Sequence, residues 1–254
     1  MKTQPPQRWT SEKILALGRS YQDAAVLAAA ADLDLFSALV SMPLSAAQLA
    51  RKLACDLRAL TILLDALAAL RLLNKAGDNY TVAPGVRSAS SPGGAQSVLA
   101  MAQHQGHCLR NWAQLARVVK TGRPAERTPG VRGEEGAQEA FIGAMHNISA
   151  PNADAVIRAV QPLQFRRLLD IGGASGTWTM AFLRACPPAR ATLFDLPHVI
   201  PMAQRRLAAA GLDQRVQLVA GDFTRDALPP GADLAWVSAI VHQNSRAQNR
   251  ALFA

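Results

Sequence analysis

The stretch Arg167-Leu-Leu-Asp-Ile-Gly-Gly-Ala-Ser-Gly176 decides the fold, because a short apolar run ends abruptly in a turn rich in glycine. The run predicts a buried β-strand ending at Ile171, and the residues from Trp178 to Ala185 predict a helix just after the turn. Glycines at a strand-to-helix turn let a ligand approach the backbone at the N-terminus of the helix. The stretch therefore predicts a ligand site at a strand end.

The sequence on the C-terminal side of this turn continues the alternation of strands and helices. Further strands are predicted over 191–195, 216–220 and 233–239, with a helix over 200–210. This alternation predicts an α/β fold with a doubly wound parallel sheet. Right-handed crossovers bring the carboxyl ends of such strands to one edge, where ligands of these folds lie.

Acidic residues occupy three of the predicted strand ends. Asp170 precedes the glycine turn, Asp195 ends the second strand, and Asp222 follows the third, next to Phe223. The Gly-Gly-x-x-Gly spacing departs from the dinucleotide fingerprint, which disfavours a nicotinamide dehydrogenase. Asp195 is placed to accept hydrogen bonds from a ribose diol, and Asp222 from an adenine amino group with Phe223 against the ring. Two acids around the turn also suit a positively charged sulfonium ligand.

The first 75 residues or so predict short helices, and the order of helix, helix and hairpin that ends at Val82 is a winged-helix pattern. Ser45-Ala-Ala-Gln48 has the spacing of a capping box and predicts a helix to about Leu53. A second helix is predicted by a stripe of leucines, and the residues around Gly77-Asp-Asn79 predict a hairpin. The stripe comprises Leu57, Leu60, Leu63, Leu64, Leu67 and Leu70.

A winged helix raises DNA binding as a possible role, and the composition weighs against it. The second helix carries basic side chains only at its ends, Arg58 and Arg71, whereas a helix that reads a DNA groove needs polar side chains along its length. The formal charge of +9 is spread along the chain without a basic run. A packing or dimerisation module is therefore favoured over nucleic-acid binding.

Three motifs in order identify a family. The glycine turn, Phe194-Asp-Leu-Pro-His198 and Ala220-Gly-Asp-Phe223 resemble the cofactor motifs of the S-adenosylmethionine-dependent O-methyltransferases of small molecules. The resemblance is to the caffeic-acid and acetylserotonin type, with bacterial relatives in secondary metabolism. It implies an N-terminal winged-helix domain that forms a homodimer, a Rossmann-like class I methyltransferase domain, and methyl transfer to a hydroxyl of a small aromatic or polyketide-like acceptor.

The resemblance also assigns roles to residues. His242 falls where the family keeps its catalytic histidine, although Gln243 follows it in place of an acid. Phe141 and Met145 match a segment that lines the acceptor pocket. His146, which follows Met145, is expected to contact the acceptor, and an alternative base or a surface residue are the other interpretations. The residues implied for the cofactor are Asp170, Gly172, Gly173, Gly176, Asp195, Leu196, Asp222, Phe223 and Ser238.

The predicted organisation has three parts: a dimerisation domain over 1–95, a helical connection over 96–160, and a cofactor domain over 161–254. Within them we expect a loop over 88–94, helices over 96–119, 138–160 and 246–254, and a linker over 121–136. The cofactor domain is expected to be partial, because the family's sheet has seven strands and this sequence ends in the helix after the fourth. We therefore expect a longer native chain.

Cysteine and histidine spacing predicts neither disulfides nor a metal site. Cys55, Cys108 and Cys186 lie far apart, and His104 and His107 lack a third ligand at metal-binding spacing. The N-terminus has no apolar signal segment, and no apolar stretch reaches membrane-spanning length. A cytoplasmic enzyme is expected, with a non-catalytic winged-helix regulator or a cofactor-sensing dimer as the alternative.

Overall fold

A computed structural model describes residues 8–91, 94 and 96–253 of the chain. The chain divides into two compact units, Met1–Ala140 and Phe141–Ala254, and the division falls inside one long helix, Gly133–Ala159. None of the helices in the described ranges is both long and apolar enough to cross a membrane.

The first unit is mostly helical, with one small antiparallel sheet in the order β1-β3-β2. The predicted hairpin is confirmed as β2 and β3, whereas β1 was not predicted because it is only two residues long. The elements are α1 (Ser11–Arg19), α2 (Tyr21–Asp32), α3 (Leu35–Leu39), β1 (Leu44–Ser45), α4 (Ala46–Leu53), α5 (Leu57–Ala69), β2 (Leu73–Ala76), β3 (Asn79–Val82), α6 (Pro84–Ser90), α7 (Leu99–Trp112), α8 (Leu115–Thr121) and the start of α9 (Gly133–Ala159).

Capping residues set where α4 and α5, the two helices of the winged-helix pattern, begin. The capping box is confirmed: the Ser45 hydroxyl accepts the Gln48 N–H, and the Gln48 side chain accepts the Ser45 N–H. Asp56 caps α5 through the Ala59 N–H at 2.8 Å. The stripe on α5 faces the core at Leu60, Leu64 and Leu67.

Three element predictions in this unit were wrong. The helix expected from 138 begins earlier, at Gly133, so the linker expected over 121–136 is shorter. The helix expected over 96–119 is two helices, α7 and α8, which separate where the Gln114 side chain exchanges hydrogen bonds with the Glu126 backbone. The loop expected over 88–94 begins later, because α6 starts at Pro84, whose fixed φ suits the first helical turn, and continues to Ser90. Residues 92 and 93 of that loop lie outside the described residues.

The second unit contains a four-stranded parallel sheet in the order β6-β5-β4-β7. It confirms the predicted α/β fold. The elements are the remainder of α9, β4 (Arg167–Ile171), α10 (Thr177–Ala185), β5 (Arg190–Asp195), α11 (Ile200–Ala209), a 3₁₀ turn (Asp213–Arg215), β6 (Val216–Ala220), β7 (Leu234–Val237) and α12 (Arg246–Leu252).

The fourth strand is shorter than its predicted span of 233–239. At its start, the Asp233 carboxylate turns to accept the backbone N–H groups of Arg166 and Arg167. At its end, Ala239 takes a left-handed conformation with φ +56°, which a strand does not allow.

Aromatic packing joins β7, the edge strand of this sheet, to helix α10. The Trp236 ring on β7 lies 5.1 Å from the Trp178 ring and 5.0 Å from the Phe182 ring, both on α10, between ring centroids. Leu168 of β4 and Ile157 of α9 are buried in the same cluster. Because β4 and α10 pack in one core, the turn that joins them has two fixed ends.

Candidate active site

The predicted ligand residues meet at the carboxyl edge of the parallel sheet. Ile171 of β4 pairs with Val237 of β7, and Asp195 of β5 pairs with Ala220 of β6. The segments that follow these strand ends therefore lie side by side. They carry the glycine turn with Asp170 at its base, Asp195 with Leu196, Asp222 with Phe223, and Ser238 followed by His242.

The glycine turn is wound tightly and tied to the neighbouring strand. Gly172, Ala174 and Gly176 have φ of +66°, +49° and +79°. Glycine adopts this region freely, whereas at Ala174 the Cβ makes it costly by about 1 kcal/mol. The Gly172 N–H donates to the Phe194 carbonyl at 2.8 Å, and the Ala174 N–H donates to Oδ2 of Asp195 at 2.7 Å. These two bonds fix the turn against β5.

Packing within the protein also requires glycine in this turn. A Cβ on Gly173 would lie 2.6 Å from Cγ of Leu193 and 3.0 Å from Cγ of Asp170. A Cβ on Gly172 would clash with Cδ1 of Ile240, in the segment after β7. The glycines thus let the turn lie between β5 and that segment, in addition to the ligand approach that the sequence suggested.

Asp170 lies beneath the turn as a buried carboxyl group. It is 1% exposed, and its Oδ2 accepts the Thr179 hydroxyl at 2.6 Å. Burial raises the pKa of Asp170 to about 6, since no basic side chain among the described residues forms an ion pair with it. Asp170 therefore supports the turn and α10 from within the protein.

Asp195 presents a carboxylate with acceptor capacity left over. Its Oδ1 accepts the Leu196 N–H and its Oδ2 accepts the Ala174 N–H, both at 2.7 Å. Each carboxylate oxygen can accept a further bond, so a vicinal diol can be bound at this edge. Burial raises the pKa of Asp195 above its usual value. Leu196 beside it is 38% exposed and offers an apolar surface.

Asp222 and Phe223 extend the same edge past β6. Oδ1 of Asp222 accepts both the N–H and the hydroxyl of Thr224, at 2.9 Å and 2.6 Å, which lowers the pKa of Asp222. Its Oδ2 lies 3.8 Å from Nε of Arg225 and keeps room for another donor. Phe223 is half-buried and packs partly into the core beside Phe194.

The segment after β7 orients His242 through a backbone carbonyl. The Ala239 oxygen lies 2.9 Å from Nε2 of His242 and also accepts the Gln243 side chain at 3.0 Å. A carbonyl can only accept, so the proton lies on Nε2, and Nδ1 carries the lone pair. Because Gln243 follows His242 in place of an acid, the sequence left the orientation of the His242 ring unexplained. The carbonyl supplies that orientation, and a backbone acceptor gives no sequence signal.

The residues predicted to contact an acceptor lie on α9. Phe141 is 40% exposed and Met145, one turn later, is half-buried. His146 has both ring nitrogens engaged, since Nδ1 lies 2.8 Å from Oγ1 of Thr177 and Nε2 lies 2.7 Å from the Arg206 guanidinium. Burial, then the Arg206 charge, lowers the pKa of His146 to about 4. The ring is therefore neutral and offers no free nitrogen as a base.

A cleft of about 370 Å³ lies at the other end of the sheet. The cleft is lined by the first residues of β4, β5 and β6, which are Arg167, Arg190 and Val216, so it is separate from the carboxyl edge.

The two histidines of α7 in the first unit have partners nearby: His104 contacts Cys108 and His107 contacts Asn111. No group of three metal-ligating side chains occurs within the described ranges.

Comparisons with protein families match both parts of the chain. Residues 112–254 match an O-methyltransferase domain, and residues 16–88 match an O-methyltransferase dimerisation domain.

Individual relatives match along nearly the whole chain. The 3-hydroxy-5-methyl-1-naphthoate 3-O-methyltransferase of Streptomyces sahachiroi is 31% identical over 98% of this chain and 74% of its own length. The tetracenomycin polyketide synthesis 8-O-methyl transferase TcmO of Streptomyces glaucescens is 30% identical over 95% of this chain and 73% of its own. Human N-acetylserotonin methyltransferase, solved in complex with SAM, has the same fold: TM-score 0.75, 23% identity, 98% of this chain and 76% of that one.

The buried carboxyl group makes a prediction about stability and pH. From about pH 4 to about pH 6 the native protein retains a proton on Asp170 that the unfolded chain releases, so this group's contribution falls as pH rises, by about 3 kcal/mol in all. The amide of an Asp170→Asn variant does not titrate in this window. Urea unfolding at each pH measures the free energy of unfolding, and the value for Asp170→Asn minus that for wild type should rise across this window and then level off. A difference that does not change with pH would contradict the raised pKa of Asp170.

Proposed function

Since the chain belongs to the family of S-adenosylmethionine-dependent O-methyltransferases, we propose that it methylates a hydroxyl of a small aromatic or polyketide-like acceptor. The observation that carries the proposal is the glycine turn held by Asp195 at the carboxyl edge. The names of the two Streptomyces relatives, a naphthoate and a polyketide methyltransferase, support this acceptor class. The alternative of a non-catalytic regulator has no support from the comparisons.

The residues at the carboxyl edge fit the cofactor in chemistry and placement. Asp195 keeps lone pairs for the ribose hydroxyls, and Oδ2 of Asp222 can accept the adenine amino group. Leu196 and Phe223 offer apolar surface for the adenine ring, and Ser238 a hydroxyl. The buried Asp170 places negative charge under the turn, which suits a cation. When bound, S-adenosylmethionine supplies a methyl group activated by its positive sulfonium.

His242 is the proposed general base. Nδ1 accepts the proton of the acceptor hydroxyl as its oxygen becomes nucleophilic, while the Ala239 carbonyl retains the proton on Nε2 and stabilises the imidazolium that forms. A base of this kind contributes roughly 10²- to 10⁴-fold, and holding the two reactants together supplies much of the remainder.

Phe141 and Met145 are the proposed wall for the acceptor ring. An aromatic ring and a flexible thioether one helical turn apart form an apolar surface that adapts to flat ligands. A ring that lies on this surface loses water-exposed apolar area, which favours binding of aromatic acceptors over sugars.

The first unit carries a dimerisation domain, and we propose a homodimer formed through α1. Helix α1 has no buried residue. Its Ile14 and Leu17, with Tyr21 at the start of α2, follow helical spacing and are 57–60% exposed. A second copy of the chain can cover this apolar face.

We also propose a cytoplasmic location, supported by three free thiols, Cys55, Cys108 and Cys186.

Asp195→Asn should weaken binding of S-adenosylhomocysteine by about tenfold or more, because the amide replaces an acceptor that faces two N–H groups and the ribose. Isothermal titration calorimetry measures the dissociation constant. Asp213→Asn, the same change at an exposed position in the 3₁₀ turn, serves as the control. A change below twofold for Asp195→Asn would remove this residue from the site.

His242→Ala should reduce methyl transfer by roughly 10²- to 10⁴-fold while leaving S-adenosylhomocysteine binding intact. Turnover can be followed as S-adenosylhomocysteine formed with a panel of hydroxynaphthoates. Gln243→Ala removes the other donor to the same carbonyl and should change turnover little. If His242→Ala loses less than threefold, positioning alone drives the reaction.

The double variant Ile14→Asp and Leu17→Asp should be monomeric, because two carboxylates cannot be buried in an apolar interface without partners. Analytical ultracentrifugation at micromolar concentration measures the mass. Met42→Asp, an exposed apolar residue outside α1, should leave the dimer intact. A dimeric double variant would place the interface elsewhere.

A further inference from the structure

Four side chains form a hydrogen-bonded chain that ends in the glycine turn. The Arg206 guanidinium on α11 lies 2.7 Å from Nε2 of His146 on α9. Nδ1 of His146 lies 2.8 Å from Oγ1 of Thr177, the first residue of α10. Oγ1 of Thr177 lies 3.3 Å from Oγ of Ser175, inside the turn.

The direction of these bonds follows from the first donor. A guanidinium can only donate, so Nε2 of His146 accepts and the ring proton lies on Nδ1. Nδ1 then donates to Oγ1 of Thr177, and between Thr177 and Ser175 either hydroxyl can be the donor. Arg206 thus selects the tautomer of His146, which is the opposite of the tautomer at His242.

The chain of bonds reaches the turn where its backbone is strained. Ala174 has φ +49° although it carries a Cβ, and such conformations persist only when the surroundings hold them. Asp195 holds Ala174 from β5. Thr177, which is 7% exposed, is bonded to His146 of α9, and Ser175, which is 1% exposed, is bonded to Thr177. The turn is therefore restrained on two sides.

We propose that His146 is a positioning residue that sets the glycine turn for cofactor binding. It acts through Thr177, and Arg206 fixes its orientation. The proposal rests on the assignment of the turn to S-adenosylmethionine, and it gives His146 a role other than acceptor contact or base.

The first experiment measures the dissociation constant of S-adenosylhomocysteine by calorimetry for paired variants. Thr177→Val keeps the shape but removes the hydroxyl, and should weaken binding about tenfold, whereas Thr177→Ser should stay within twofold. Arg206→Met should weaken binding similarly. Arg205→Met, the same change at the neighbouring exposed arginine, should not.

A double-mutant cycle tests whether the residues act as one unit. His146→Leu with Thr177→Val should bind no more weakly than the weaker single variant. The kcat at saturating cofactor should stay within threefold of wild type, because His146 touches no reacting atom, while KM for the cofactor rises. Additive losses, or a fall in kcat at unchanged KM, would overturn the proposal.

Two comparisons distinguish a loss of folding from a wrong assignment of the cofactor site. They are the melting temperatures of the Thr177 variants and the binding of S-adenosylhomocysteine by Asp195→Asn. If Thr177→Val and Thr177→Ser lose binding equally and both melt at lower temperature, the role is merely structural and the proposal fails. If Asp195→Asn weakens binding but Thr177→Val does not, the positioning role fails and the cofactor site stands. If neither has an effect, the cofactor site itself is misassigned.

Long-range ¹H–¹⁵N NMR of the imidazole nitrogens gives an independent readout at pH 7. His146 should be neutral with its proton on Nδ1 in wild type, and should become a mixture of tautomers in Arg206→Met. A proton on Nε2 of His146 in wild type would contradict the bond direction and overturn the proposal.

Discussion

The hydrogen bond between the Thr179 hydroxyl and the buried Asp170 carboxylate is the constraint around which the site is arranged. A carboxylate without a cationic partner is costly to bury, and its raised pKa reports that cost. Thr179 lies in the first turn of α10, where the helix dipole favours negative charge. Gly173 has no room for a Cβ because Leu193 fills that position, and the Asp170 carboxyl carbon lies 3.0 Å from it as well. The negative charge that is held in this way suits a ligand with a positive sulfonium.

Strand β5 shapes the turn through three consecutive residues. Leu193 packs against Gly173, the Phe194 carbonyl accepts the Gly172 N–H, and the Asp195 carboxylate accepts the Ala174 N–H. The strand therefore fixes the conformation of the turn by packing, by a backbone bond and by a side-chain bond. Asp195 has two tasks, since the oxygen that holds the turn belongs to the carboxylate proposed to bind the ribose.

Local patterns predicted the parts of the structure whose cause is local. The strands 167–171 and 216–220 and the capping box of Ser45 depend on neighbours in sequence and were predicted with their observed bounds or partners. The contact between His146 and Arg206 joins residues 60 positions apart, and the one between His146 and Thr177 joins residues 31 apart. Hydrophobic periodicity reports only on neighbours in sequence, so it cannot predict contacts between such distant residues. The carbonyl of Ala239 was missed because every residue has one, and only the left-handed backbone aims it at His242.

His242 and His146, the two histidines in the proposals, have hydrogen-bond partners that differ in kind. At His242 the only partner among the described residues is an acceptor, which takes the proton of one nitrogen and leaves the other as a free lone pair. At His146 an obligate donor occupies one nitrogen and a hydroxyl the other, so no lone pair remains for a reacting proton. Sequence reasoning weighs both as bases, since it sees only residue type. The donor or acceptor character of the neighbours separates proton transfer from positioning, and it favours His242 for the first and His146 for the second.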